Sequence, residues 1–406
     1  MNAKQKIILL WLFWAIILIG FQATVQARYE PKRPDKVLQW TANETTRVFN
    51  KDQPYLIDPF MNNQVAWDSE FYISISLAGY DDPVLRSIGD FEWSRTPEGD
   101  FSLNYAFLPF YPFVMRLLYY PLSILGLTDV ATATLAGVLV SLLGTLGAML
   151  ALYGLVEPHL EDSGGMRAVF YLVIFPTGFF LAQVYTEGLF VGLAFGSLAL
   201  LKRKKLLWAA VLAVFATWTR AVGGALLIAL LWFWVKETDW QNFQWRDLGR
   251  GMIALLPLGA FLAWKFSPWG RAFSIVEDQF FGRGIFLIRS SLSNWALGYR
   301  SIFANNLQTR VFYLIEFAAT LLGLVACFAT LRRYPAEALF GLAVIGISFF
   351  SGQAQGMPRY VIAVPSVFIF LATLGKNEIF DRAWTVGSVL LMGMLAALYA
   401  FNFWVA

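Results

Sequence analysis

With 406 residues, 58% of them hydrophobic and only 14% charged, the chain departs from a soluble domain, which carries roughly 25% charged residues. The single Cys327 and single His159 exclude a disulfide framework, a multi-histidine zinc site and a Ser-His-Asp relay in the outer loops. The net charge of +4 is uneven, since residues 27–104 hold eight Lys/Arg against thirteen Asp/Glu, and the basic remainder suits cytoplasmic loops rather than a nucleic-acid partner.

Lys4 and Lys6 precede an apolar run at 7–23. This reads as an uncleaved first spanning helix over 7–26 rather than a signal peptide, because the run is bulky and close to the ~20 residues a span needs. Residues 27–127 form an outer loop too long for a connector, expected to hold short juxtamembrane helices and substrate-facing residues. Asn43-Glu44-Thr45 within it matches a glycosylation sequon, a pattern that also arises by chance. The stretch 105–127, interrupted by Pro109, Pro112, Arg116 and Pro121, suits a helix lying in the interface.

The remaining helices are expected over 128–406. Apolar runs lie at 135–156, 169–183 and 185–201. A run at 206–235 is too long for one span and reads as two short helices meeting at Arg220. Further spans are expected at 252–266, 311–331, 336–350, 360–374 and 385–403. The chain is thus read as a single all-α polytopic membrane domain of about eleven spans, within roughly nine to twelve. Threaded from a cytoplasmic N-terminus, Lys202-Arg203-Lys204-Lys205, 236–250, Arg332-Arg333 and 376–382 fall inside, as the positive-inside rule requires.

The outer side then gathers Trp67-Asp68, Tyr80, Tyr185-Thr186-Glu187, Arg220 and Arg359-Tyr360. Ionisable groups that interrupt apolar runs are costly unless paired or functional. A carboxylate can take a proton from a sugar hydroxyl, while arginines hold a phosphate through forked hydrogen bonds. Each residue also has an ordinary structural explanation. Glu187 suits a helix start and can pair with Arg220, Arg359 can anchor a span, and tyrosines and tryptophans belong to interface belts.

Val65-Ala66-Trp67-Asp68-Ser69-Glu70-Phe71-Tyr72, ending at Gly79-Tyr80, resembles the Arg-Trp-Asp…Tyr…Gly-Tyr motif of the PIG-V-type mannosyltransferase family and its bacterial and archaeal relatives. Ala106-Phe107-Leu108-Pro109-Phe110-Tyr111-Pro112 resembles that family's Phe-Phe-Pro-x-Tyr-Pro block. Phe175-Pro176-Thr177, Tyr185-Thr186-Glu187 and Thr219-Arg220-Ala221-Val222-Gly223 follow in the family's order. The resemblance covers about residues 60–235, and the C-terminal third only by hydropathy.

This resemblance implies a GT-C-type membrane glycosyltransferase that needs no nucleotide sugar, and with no acidic pair of clear metal geometry in the sequence no metal or other cofactor is expected. It would move a hexose, mannose by the family's name, from a polyprenyl- or dolichyl-phosphate donor to a glycan or glycolipid acceptor. The expected location is the outer face of a bacterial or archaeal plasma membrane. An acidic residue of the first outer loop is the superfamily's general base, which maps onto Asp68, and inversion is expected. Arg220, Arg359, Glu187, Tyr185, Tyr80, Trp67 and Tyr360 are the expected donor-phosphate and substrate-binding residues. Ala66 stands where the family carries Arg, so phosphate contact falls to Arg220 or Arg359. Two rival readings remain: a transporter or flippase of lipid-linked sugars, and a non-catalytic subunit of an envelope assembly.

Overall fold

The structure, a computed structural model, describes residues 1–30, 34–43, 53–88, 93–96 and 99–406; Glu44 and Thr45 of the sequon lie outside them. The chain opens with α1 (Ala3–Arg28), started by a capping box in which the Asn2 and Gln5 side chains each accept the other's backbone N–H. The segment 27–127, expected as an outer loop, contains α2 (Ser69–Ala78), α3 (Pro83–Ile88) and α4 (Phe110–Leu122), in line with the short helices expected there. It also contains a two-stranded antiparallel hairpin, β1 (Trp93–Thr96) with β2 (Gly99–Ser102), which hydropathy did not indicate. Helix α4 buries Tyr111, Pro112 and Met115 and leaves Phe113, Leu117 and Tyr120 exposed, so apolar side chains occupy both its packed and its open face.

Helix α5 (Asp129–Val173) is broken at Glu161, whose φ of 61° and ψ of −178° are not helical. The Tyr153 ring lies against Gly165, although twelve residues of continuous helix would separate them by about 18 Å. The two halves therefore fold back on each other over a single-residue turn. The returning half stops at Val173, where a helix had been expected to run to Gln183, and a 3-10 turn (Gly178–Ala182) takes its place. Helix α6 (Glu187–Lys202) follows, then α7 (Leu206–Thr219) and α8 (Leu226–Glu237), joined through a 3-10 turn over Ala221–Ala225.

Next come α9 (Trp245–Ala254) and α10 (Leu256–Lys265), bent by 48°. Two amphipathic helices, α11 (Pro268–Gln279) and α12 (Ile288–Ser301), precede α13 (Leu307–Thr330) and α14 (Pro335–Phe349). The chain ends with α15 (Met357–Val361), α16 (Pro365–Leu374) and α17 (Glu378–Ala400). Among the described residues, α1, α5, α13 and α17 are each long and apolar enough to cross a membrane, and the bent α9–α10 pair makes a fifth. The other expected crossings are shorter helices interrupted by Gly, Pro or Arg.

Polar contacts sort the loops to two ends of the bundle. At one end Lys6 pairs with Asp162 at 3.0 Å, and Lys202 Nζ donates to the Leu155 carbonyl at 2.7 Å. There too Arg333 Nη2 donates to the His159 carbonyl at 3.1 Å, and Arg167 Nη1 to the Ala372 carbonyl at 3.1 Å. At the opposite end Asp68, Glu187, Arg220 and Arg359 meet. Segments that the threading assigned to one side thus contact one another. The core between them is aromatic, with Tyr111, Tyr171, Tyr185, Phe179, Phe180 and Phe368 fully buried.

Candidate active site

Asp68 stands at the start of α2, presented by a tight approach. Trp67 before it is left-handed, with φ 52°, a conformation bulky residues rarely adopt. The Asp68 N–H donates to the Tyr185 hydroxyl at 3.2 Å, and the Ala66 N–H to Ser69 Oγ at 3.1 Å. Its carboxylate is 24% exposed and receives Arg359 Nη2 at 3.1 Å.

Glu187 opens α6 and is buried. Its Oε1 accepts Arg359 Nε at 2.8 Å and also pairs with Arg220. The position of this carboxylate follows from helix packing. A Cβ on Gly188 would strike the Ser141 carbonyl, and one on Gly192 the Gly144 carbonyl, so α6 meets α5 backbone to backbone. Arg220 sits in extended backbone at the break after α7, where Gly223 tucks against the Ala216 backbone. Its Nη1 also reaches Thr186 Oγ1 at 3.2 Å, and its guanidinium lies 4.8 Å from the Tyr360 ring centre. The Arg359 guanidinium lies 4.7 Å from the Tyr185 ring and 5.1 Å from that of Phe180.

The short helix carrying Arg359 is fixed from outside. Both oxygens of the buried Glu316 on α13 accept backbone N–H groups, from Gly356 and Met357, each at 2.8 Å. Thr177 Oγ1 donates to the Pro358 carbonyl at 2.8 Å. The result is a continuous network of Asp68, Arg359, Glu187 and Arg220, with Tyr185 and Tyr360 as aromatic supports. Tyr80 does not join it; its hydroxyl donates to the Phe107 carbonyl at 2.9 Å and its ring stacks on Tyr105 at 4.9 Å.

The network borders a cavity of about 1150 Å3. Trp67, Asp68, Arg220, Arg359 and Tyr360 line it, whereas Tyr185 and Glu187 stand behind the wall. Among the described residues, no three His, Cys, Asp or Glu side chains could hold a metal ion.

Three functional candidates come from outside the sequence motifs. Arg283 lines the cavity, and its Nη1 donates to the Tyr360 hydroxyl at 3.0 Å. Among the described residues it makes no ion pair, unlike Arg220 and Arg359. It is tethered by the Gly284 N–H, which donates to the Ser351 carbonyl at 2.9 Å. Half-buried Glu277 also lines the cavity, and burial pushes its carboxyl up to about 7, with Arg283 opposing the shift and Asp68 adding to it. Glu316 is the third. Arg283 had one sequence signal, its Gly-Arg-Gly setting, but Arg271, Arg289, Arg300 and Arg310 share the same segment, 267–310.

No protein-family model matches the sequence, and no curated protein matches it. Among solved structures, the chain is similar to ArnT from Cupriavidus metallidurans bound to undecaprenyl phosphate, at 14% identity and a TM-score of 0.43, over 83% of this chain and 72% of that one. The apo state of that protein gives 15% identity and a TM-score of 0.45, over 88% and 75%. The archaeal oligosaccharyltransferase AglB from Archaeoglobus fulgidus, in complex with an inhibitory peptide and a dolichol-phosphate, gives 12% and 0.41. That match covers 96% of this chain and 55% of AglB, so the chain spans little more than half of AglB's length.

Proposed function

We propose that this chain is a GT-C-type membrane glycosyltransferase that moves a hexose from a polyprenyl- or dolichyl-phosphate donor to a glycan or glycolipid acceptor at the outer membrane face. One observation carries the reading: a partly exposed carboxylate, Asp68, opens onto a large cavity whose wall also holds Arg220, Arg283 and Arg359. Mannose rests on the sequence resemblance alone.

Asp68 takes the proton from an acceptor hydroxyl as that oxygen bonds to the anomeric carbon. The bond from the anomeric carbon to the donor phosphate oxygen breaks, and its electron pair leaves with the lipid phosphate. A single base with displacement from the opposite side inverts the anomeric centre. Charge grows on the departing phosphate, where fixed guanidinium donors stabilise it. Arg359 is already shared between Asp68 and Glu187, so it orients the base. Arg283, which makes no close ion pair among the described residues, and Arg220 contact the phosphate in this reading. Glu187 is the counter-ion that allows two arginines to remain buried together.

The decisive assay is transfer from polyprenyl-phosphate mannose by purified protein in detergent, with a panel of glycan and glycolipid acceptors. Asp68→Ala should abolish transfer, and full activity in that variant would overturn the choice of base. A flippase would move lipid-linked sugar across vesicles and form no new glycosidic bond in detergent.

A further inference from the structure

The proposed reaction leaves part of the cavity wall without a task. Trp40, Trp67 and Trp404 line the cavity, as does Gln53. The three indoles buttress one another edge to face, with ring centres 5.7 Å apart for Trp40 and Trp67, 5.0 Å for Trp67 and Trp404, and 5.1 Å for Trp40 and Trp404. Trp40 nevertheless remains 50% exposed. Trp67 Nε1 donates to the Phe403 carbonyl at 3.4 Å, and the Trp404 N–H donates to Asp35 Oδ2 at 2.7 Å, so the cluster is anchored from two sides.

Its backbone is also held in an unfavourable state. Trp67 has a φ of 52° immediately before Asp68. A left-handed bulky residue persists only where its surroundings over-determine it, and such outliers concentrate at ligand sites. An interface-belt tryptophan turns its ring toward lipid and needs no such strain; these rings line a cavity.

We propose that the Trp40–Trp67–Trp404 cluster is a platform for a pyranose ring of the acceptor, which defines the acceptor as a saccharide. This rests on the glycosyltransferase reading. A sugar ring has an apolar C–H face that packs on a rigid indole and a rim of hydroxyls that stays with polar groups. Asp68 follows Trp67 directly, so a ring seated on the indoles brings a hydroxyl to the proposed base. An isoprenoid tail would have to lie beside the partly exposed Asp68, which lines the same cavity, and burying that carboxylate against hydrocarbon is costly.

The test uses the full chain in lipid nanodiscs free of glycoside detergent. Four octyl glycosides (glucose, mannose, galactose and N-acetylglucosamine) are compared with octyl glycerol, which has the same tail without a ring. The wild type should bind at least one glycoside better than octyl glycerol, with saturation transfer from protein to the sugar C–H protons. Trp40→Ala should weaken that glycoside about fivefold to tenfold, and Trp40→Phe should recover most of the loss. Binding of polyprenyl phosphate serves as the folding control and should stay unchanged. Failure of all four glycosides, or a change below twofold in Trp40→Ala, overturns the proposal. So does an equal loss for octyl glycerol.

A second arm separates acceptor from donor. If Trp40→Ala weakens polyprenyl-phosphate mannose but not polyprenyl phosphate, the platform holds the donor's sugar and the acceptor assignment falls. Sugar binding that depends on Trp40, without any transfer by the wild type, overturns the enzymatic reading and leaves the platform standing. Transfer with an acceptor KM unmoved by Trp40→Ala overturns the platform alone.

Discussion

Glu187 is the residue on which the charge arrangement turns. It is 1% exposed and lies between Arg220 and Arg359, which are 11% and 10% exposed. Buried guanidiniums of this kind are tolerated only while their counter-ion is present, so Glu187→Ala is expected to cost about 3–5 kcal/mol, read as loss of thermal stability of the purified protein. Glu187→Gln keeps one accepting oxygen and should cost less. Asp68 behaves differently because its carboxylate reaches the cavity. Asp68→Asn should leave stability close to wild type yet lower kcat by about a hundredfold to ten-thousandfold, measured in the detergent transfer assay. Glu277 supplies a pH signature. Its carboxyl rises on folding from an ordinary 4.5 to about 7, so within that window the folded state binds more protons than the unfolded state. Stability contributed by this group therefore falls as pH rises from about 4.5 to about 7, and Glu277→Gln should flatten the corresponding decline in Tm.

At the scale of elements, the site depends on how closely α5 and α6 approach. Gly188→Ala forces a methyl group onto the Ser141 backbone, with an overpacking cost of about 1–3 kcal/mol, and shifts Glu187 next to it. Transfer should fall along with stability. Gly147 is the control on the same helix as Gly144: a Cβ there meets nothing within 4 Å, so Gly147→Ala should be neutral or slightly stabilising in the same melting experiment. The break at Arg220 and the short helix α4 were legible because a charge, a glycine pair and prolines interrupt apolar sequence. The 3-10 turn at Gly178–Ala182 was not, since Phe179-Phe180-Leu181-Ala182 carries the hydropathy of a helix whichever way its backbone runs. Glu316 was visible as one acid inside an apolar run, but its partners are backbone groups 40 and 41 residues away, which no local pattern encodes. Glu187, Arg220 and Arg359 were identified as interruptions of apolar runs on the expected outer side, and Asp68 by its motif; that Glu187 joins two of the arginines and Arg359 joins both acids required the fold.

Across the whole molecule, hydropathy and loop charge set an order of crossings, and the contacts at the two ends follow that order. Which end faces the cytoplasm rests on the basic loops alone. The positive-inside rule places Lys204 and Lys376 inside and the segments holding Asp81 and Arg300 outside. Single cysteines at these four exposed positions, read in intact cells with a membrane-impermeant maleimide, test the assignment. The native Cys327 is fully buried and should remain silent. Cysteines at 81 and 300 should label at once, and those at 204 and 376 only after permeabilisation. The positions flank different breaks, so the pattern of failure is informative. Disagreement between 81 and 300 would mean an odd number of crossings between them, contrary to the back-folded α5 and the α7–α8 junction. Reversal of all four would keep the fold and turn the Asp68 cavity to the cytoplasm, where the proposed lipid-linked donor would have to be reached from the other leaflet.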